Sequence, residues 1–160
     1  LIAVIADTHM PKGERELPRE CLARIRTAEA LIHAGDFSAA SVLEELEELC
    51  PVVLAVHGNV DEAELRRRLP ESLEIELGGR TVAVVHDAGP SRGRIERMRA
   101  RFPEADAVVF GHSHMPLHQE EGGFQIFNPG SPTERRRAPR RSMGLLRPGP
   151  SGLRFEHLWL

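Results

Sequence analysis

The chain has 160 residues, a formal net charge of −3 and 41% hydrophobic residues, enough to bury a full core in one domain but too few for a separate substrate domain. The negative balance argues against a dedicated nucleic-acid binder, which needs a basic surface, and no apolar run approaches the ~20 residues that cross a bilayer. Its two cysteines, Cys21 and Cys50, make no disulfide framework and read as small apolar fillers.

In chain order, "LIAVIA" (1–6) is short, continuous and β-branched, the pattern of a strand buried on both faces. "PRECLARIRTAEA" (18–30) has helical period, with Leu22 and Ile25 one turn apart, and leads into a second strand, "ALIHA" (30–34). "SAASVLEELEELC" (38–50) opens with a serine cap and repeats Val42, Leu46 and Leu49 as a second helix. The strand "VVLAV" (52–56) follows, then "TVAVV" (81–85), a helix over 91–102 carrying Ile95, Met98 and Phe102, and the strand "AVVF" (107–110). This alternation predicts an α/β domain with a largely parallel sheet. Beyond residue 115 the texture changes to two hairpins, turning at Gly122-Gly123 and over Pro148 to Gly152. They predict a second sheet packed on the first, with helices outside. Residues 1–160 read as one domain without repeat or linker, and the lack of a signal-peptide pattern predicts a cytoplasmic protein.

Each of the five apolar runs from 1–6 to 107–110 ends in ligand-type residues. Asp7 and His9 follow the first, Asp36 the second, Asn59 and Asp61 the third, His86 the fourth, and His112 and His114 the fifth. Parallel strands share one carboxyl edge, where open α/β sheets place their functional crevice. The i, i+2 spacing of Asp7/His9 and His112/His114 would put both members of each pair on one side of an extended backbone. A mixed nitrogen and oxygen set suits Mn, Fe, Ni, Co or Zn over thiolate or purely oxygen-ligated sites. Even with Asp61 set aside, seven candidate ligands exceed one coordination sphere, so two ions sharing a carboxylate account for them better.

Asp7-x-His9, Gly35-Asp36, Gly58-Asn59-x-Asp61, His86 and Gly111-His112-x-His114, in that order, resemble the five motifs of the calcineurin-like metallophosphoesterases. "NPGSP" (128–132) is similar to a motif of their small bacterial and archaeal phosphodiesterase branch. The resemblance implies a four-layer α-β-β-α sandwich of two mixed sheets flanked by helices. It also implies Asp7, His9 and His114 on a first metal, Asn59, His86 and His112 on a second, and Asp36 bridging, with Asp36, Asn59 and His112 also catalytic. The implied activity is a metal-dependent phosphodiesterase acting on a small phosphoester with two divalent transition metal ions, manganese favoured. A phosphomonoesterase and a non-catalytic interaction scaffold of the same fold are the alternatives, and a homo-oligomer is left open.

Several residues have plainer readings. Asp61 before "EAELRRRL" reads as a turn or helix cap. His33, His57, His118 and His157 lie off the motif positions, His33 and His57 being candidates to support a ligand from behind. "ERRRAPRR" (134–141), which includes Arg135 to Arg141, reads first as a solvated loop and second as a phosphate-attracting rim. Two positions depart from the family pattern: Val60 stands where many members carry a histidine near the leaving group, and His86-Asp87-Ala88 where the branch often shows His-Gly-His.

Overall fold

Two five-stranded sheets lie face to face between helices in the computed structural model, which describes residues 1–160. The order is β1 (Ile2–Ile5), α1 (Arg19–Thr27), β2 (Ala30–His33), α2 (Ala40–Leu49), β3 (Val53–Ala55), α3 (Ala63–Arg68), β4 (Ser72–Leu77), β5 (Arg80–Val85), α4 (Arg94–Arg101) and β6 (Ala107–Val109). The hairpins β7 (Leu117–Glu121)/β8 (Phe124–Asn128) and β9 (Ser142–Gly149)/β10 (Gly152–Trp159) complete it. No helix is long and apolar enough to cross a membrane.

The first sheet runs β10-β9-β1-β2-β3 and the second β4-β5-β6-β8-β7. Both are mixed: β1, β2 and β3 are parallel, as are β5, β6 and β8, and antiparallel pairings flank the parallel strands on both sides in the second sheet and on the β9 side in the first. The hairpins do not form a second sheet of their own. β5 and β6 belong with β7 and β8, while β9 and β10 join the first sheet beside β1. Continuous apolar runs announce burial on both faces without saying in which sheet, and Gly144 helps decide it. A Cβ there would lie 2.5 Å from the Phe127 ring, so β9 approaches the facing sheet only because this position carries no side chain. β4, "SLEIEL", is an edge strand whose Leu73, Ile75 and Leu77 alternate onto the core.

Strand alternation sorts the interior into three layers. Ile2, Val4 and Ala6 point between the sheets with Ile32, Val82, Val84, Val109 and Phe127. Ala3 and Ile5 point the other way, against Cys21, Ile25, Leu43 and Leu46 of α1 and α2. Val85, Val108 and Ile126 meet Met98 and Phe102 beneath α4. Helix, sheet, sheet and helix thus follow from the period of two alone. Both cysteines are buried and unbridged.

Ser38 does not cap α2. It has a left-handed φ of 81°, and the Ala40 N–H at the helix start donates to the Glu62 carboxylate at 3.0 Å. The cap is supplied from the loop after β3, which ties that loop to the one after β2.

Candidate metal centre

The carboxyl ends of β1, β2 and β3 in one sheet and of β5 and β6 in the other meet at one edge of the sandwich. Asp7, His9, Asp36, Asn59, His86, His112 and His114 all arrive there, and they do so on turns. Asp7, His9, Asp36, His112 and His114 have φ of 56°, 46°, 61°, 68° and 59°, so neither i, i+2 pair sits on extended backbone. Each strand ends before its ligands, and after β1, β2 and β6 a left-handed residue turns the side chain inward. Such conformations cost on the order of 1–3 kcal/mol each and persist where surroundings over-determine them. Here the Asp7 N–H donates to the Gly35 carbonyl at 2.9 Å, the His9 N–H to the Asp36 carbonyl at 3.0 Å and the Gly111 N–H to the His86 carbonyl at 2.9 Å.

Two groups of donors result. Asp7, His9 and His114 form one; Asp36, His86 and His112 form the other. In the first, the His9 and His114 Nε2 atoms lie 3.2 Å apart, and Asp7 Oδ1 is 3.6 Å from His114 Nε2 and 3.9 Å from His9 Nε2. In the second, Asn59 Oδ1 lies 3.0 Å from His86 Nε2 and 3.1 Å from His112 Nδ1. Asp36 Oδ2 faces both groups, 3.2 Å from His86 Nε2 and 3.6 Å from His9 Nε2. Ligands sharing one ion through bonds of about 2.0–2.2 Å are separated by about 3–3.5 Å. This donor set fits divalent cations in spacing as well as in chemistry.

Proton positions support the same direction of ligation. His86 Nδ1–H donates to the Ala34 carbonyl at 2.8 Å, which leaves Nε2 as the nitrogen that faces Asp36 and Asn59. Burial pushes the Asp7 carboxyl up to about 7 although His86 pulls it down. Burial would raise Asp36 too, but the His86 hydrogen bond and charge outweigh it and hold Asp36 at about 2. For His86, burial is overcome by Asp36 and Asp7, which lift it to about 8. Burial and the nearby Arg136 charge depress His114 to about 4. Asp7 Oδ2 and His114 Nδ1 are buried without a hydrogen-bond partner. Burying a carboxylate oxygen unmatched is costly, and Asp7 carries that cost beside the first donor group.

Two glycines let the loops close this tightly. A Cβ on Gly58 would stand 2.0 Å from Asp36 Oδ1, and one on Gly35, whose φ is 90°, 2.7 Å from His86 Nδ1.

Asp61 is not a helix cap. Its Oδ2 accepts from the Asp36 N–H at 3.1 Å and the Gly58 N–H at 2.7 Å, and its Oδ1 from the Ser38 N–H at 2.8 Å. It fastens the loops after β2 and β3 together beneath the second donor group. The segment after β8 does the same for the first. Ser131 Oγ donates to the Asp7 carbonyl at 2.8 Å, Thr133 Oγ1 to the Thr8 carbonyl at 2.8 Å and Asn128 Nδ2 to the Gly111 carbonyl at 3.0 Å. The "NPGSP" run marked the place but not these bonds. His33 is fully buried; its Nδ1 accepts from the Gly35 N–H at 3.1 Å, so its Nε2–H donates to Thr8 Oγ1 at 3.1 Å. It braces the loops without reaching the donors. His57 lines a cleft beside Asn59 and His86. His118 and His157 lie elsewhere, bonded to Gln125 and to the Asn128 carbonyl.

A calcineurin-like phosphoesterase superfamily domain matches residues 1–148. A probable metallophosphoesterase of Methanothermobacter thermautotrophicus is 36% identical over 83% of this chain and 77% of its own length. A phosphodiesterase of Methanocaldococcus jannaschii is 22% identical over 81% of this chain and 82% of its own. Among solved structures, a Thermotoga maritima protein superimposes with a TM-score of 0.79 at 28% identity, covering 99% of this chain and 98% of that one. Vps29 of Entamoeba histolytica, solved with zinc, has the same fold, with a TM-score of 0.78 at 23% identity over 99% of this chain and 98% of that chain. With the motif order, the two mixed sheets and the domain match in agreement, this chain belongs to the calcineurin-like phosphoesterase superfamily.

Proposed function

We propose that residues 1–160 act as one domain, a metal-dependent phosphodiesterase with a dinuclear centre. The observation that carries this reading is the position of Asp36 Oδ2 between His9 Nε2 and His86 Nε2, at 3.6 and 3.2 Å, where one carboxylate can serve two cations. Asp7, His9 and His114 would hold the first, Asn59, His86 and His112 the second, and Asp36 both. Manganese is favoured among Mn, Fe, Ni, Co and Zn, given the mixed imidazole and oxygen donors. Bound there, such cations supply a water of lowered pKa and positive charge for phosphoryl oxygens.

The chain's own residues set the geometry. Asp36 Oδ1 accepts from the Val60 N–H at 3.0 Å, which fixes the carboxylate so that only Oδ2 turns to the cations. His86 is oriented by Ala34, and the loop carrying His112 is pinned where its N–H donates to Asp7 Oδ1 at 3.2 Å. The His112 side chain is about half exposed and Asn59 is exposed as well, so these two of the seven donors stand at the face that substrate reaches. The test is elemental analysis with turnover of bis(4-nitrophenyl) phosphate after chelation and reloading with Mn, Ni, Co or Zn. Two ions per chain with restored turnover is the expected result. Two ions without turnover of any phosphoester would make the protein a scaffold, and faster turnover of 4-nitrophenyl phosphate would make it a monoesterase.

A further inference from the structure

We infer that the substrate is a phosphodiester carrying a second phosphate on one arm, and that this phosphate is seated in the cleft beside His9, where Lys12 binds it. The inference rests on the phosphodiesterase reading and adds the class of substrate.

Two clefts flank the donor groups, and they differ in charge. The cleft on the first group's side, about 650 Å³, is reached at His9 and holds Lys12, Arg15 and Arg136 against Glu62 and Glu134. Both acids are committed. Glu134 lies 3.4 Å from Arg15 and 3.6 Å from Arg136, and Glu62 accepts from the Ala40 N–H at 3.0 Å. Lys12 is exposed and makes no ion pair, leaving one net positive charge without a partner. Met10, Pro11 and Ala39 give the same cleft an apolar wall. The positive surface continues beyond it, since a neighbouring groove shares Glu134 and Arg136 and adds Arg140 and Arg141.

The cleft on the second group's side, about 340 Å³, offers no such charge. Arg66 is spent on the Asp61 carbonyl, with Nε at 3.1 Å, Arg101 faces Glu71 at 3.9 Å, and Asp87 adds a carboxylate. A diester places its two arms on opposite sides of phosphorus. One arm here meets an unpaired ammonium in a cleft that also holds two guanidinium groups, donors suited to phosphate. The other meets a balanced wall.

The experiment compares two substrates with the same leaving group: the 4-nitrophenyl ester of thymidine 5′-phosphate and its 3′-phosphorylated counterpart. A charge-assisted contact to the added phosphate should raise kcat/KM roughly tenfold. In Lys12→Met that ratio should fall toward one, in Lys12→Glu below one, and in the wild type it should shrink with added salt. A wild-type ratio near one, or a ratio that both variants retain, overturns the inference while turnover itself upholds the phosphodiesterase reading. Turnover of neither ester, with bis(4-nitrophenyl) phosphate also untouched in metal-loaded protein, overturns that reading and this inference with it.

Discussion

The Asp61 carboxylate accepts the backbone N–H of Asp36 at 3.1 Å, so the residue placed between the two donor groups is itself held by a buried acid from the next loop. The Gly58 and Ser38 N–H groups share that carboxylate, and removing it strands two buried donors at about 1–3 kcal/mol each, with the half-buried Ser38 N–H besides. Asp61→Ala should therefore weaken metal binding about 10- to 100-fold, as loss of a supporting partner does elsewhere, although Asp61 touches no cation. Asp61→Asn, which keeps one acceptor oxygen, should fall between. Calorimetric metal titration of the three proteins decides it, and affinity unchanged in Asp61→Ala would remove the loop-fastening role.

Asp36 and His86 should fail differently. Asp36→Asn touches both donor groups and should lower affinity for both ions, whereas His86→Ala removes one donor from the second group and should leave a single ion bound. Metal counts after dialysis separate the cases. Equal stoichiometry in the two variants would contradict a shared Asp36.

Protons compete with cations at this edge. Asp7 stands at about 7 and His86 at about 8, so each must lose a proton to donate, while Asp36 at about 2 is already ionised. Metal affinity should thus fall as pH drops from 8, steepening below 7 toward about a hundredfold per pH unit as both protons count. Titrations in buffers of different ionisation enthalpy would count the protons released, and zero release at pH 6 would refute the assignment.

His33 makes stability fall with pH as well. Burial and the His86 charge lower it from 6.5 to about 3, so it stays neutral in the fold while the unfolded chain takes up a proton below 6.5. Its contribution is intact above 6.5 and is lost as pH falls toward 3, by about 1.4 kcal/mol per unit in that window. Relative to His33→Gln, the wild type should lose stability at about that rate between pH 6.5 and 5. Chemical denaturation at several pH values measures it, and parallel curves would show that His33 is not held neutral.

Much of this centre was legible because strand-end residues need no long reach to meet. Five short apolar runs named the strands, and the residues after each named the donors. The left-handed turns were not read, although Asp and His tolerate that region better than most residues; the i, i+2 spacing suggests extended backbone instead. Sheet membership was hidden for a different reason. Val82, Val84 and Val109 look the same in sequence whichever sheet they join, and no local pattern says that β9 pairs with β1. An acid before a helix is ordinarily a cap, and nothing local to Asp61 reveals that its carboxylate points back toward Asp36.

Val60 sits beside Asp36 with a divided role. Its N–H donates to Asp36 Oδ1 at 3.0 Å, so the backbone helps to place the shared carboxylate, while the side chain is 48% exposed at the cleft beside His9 and can transfer no proton. A phosphoester leaving group departs as an oxyanion unless something protonates it, and a positioned acid contributes roughly 10²–10⁴-fold. His57, the neighbouring imidazole, lines the other cleft. Esters with acidic leaving groups should therefore react well and alkyl esters poorly, with kcat/KM falling steeply as leaving-group pKa rises. Val60→His keeps the backbone N–H and adds an imidazole at the cleft mouth, so it should flatten that dependence chiefly by speeding the alkyl esters. Measuring kcat/KM for both proteins across substituted phenyl and alkyl diesters tests the account. A shallow slope in the wild type would mean that His57 or another group already supplies the proton, and a slope unchanged in Val60→His would mean that this position does not face the leaving oxygen.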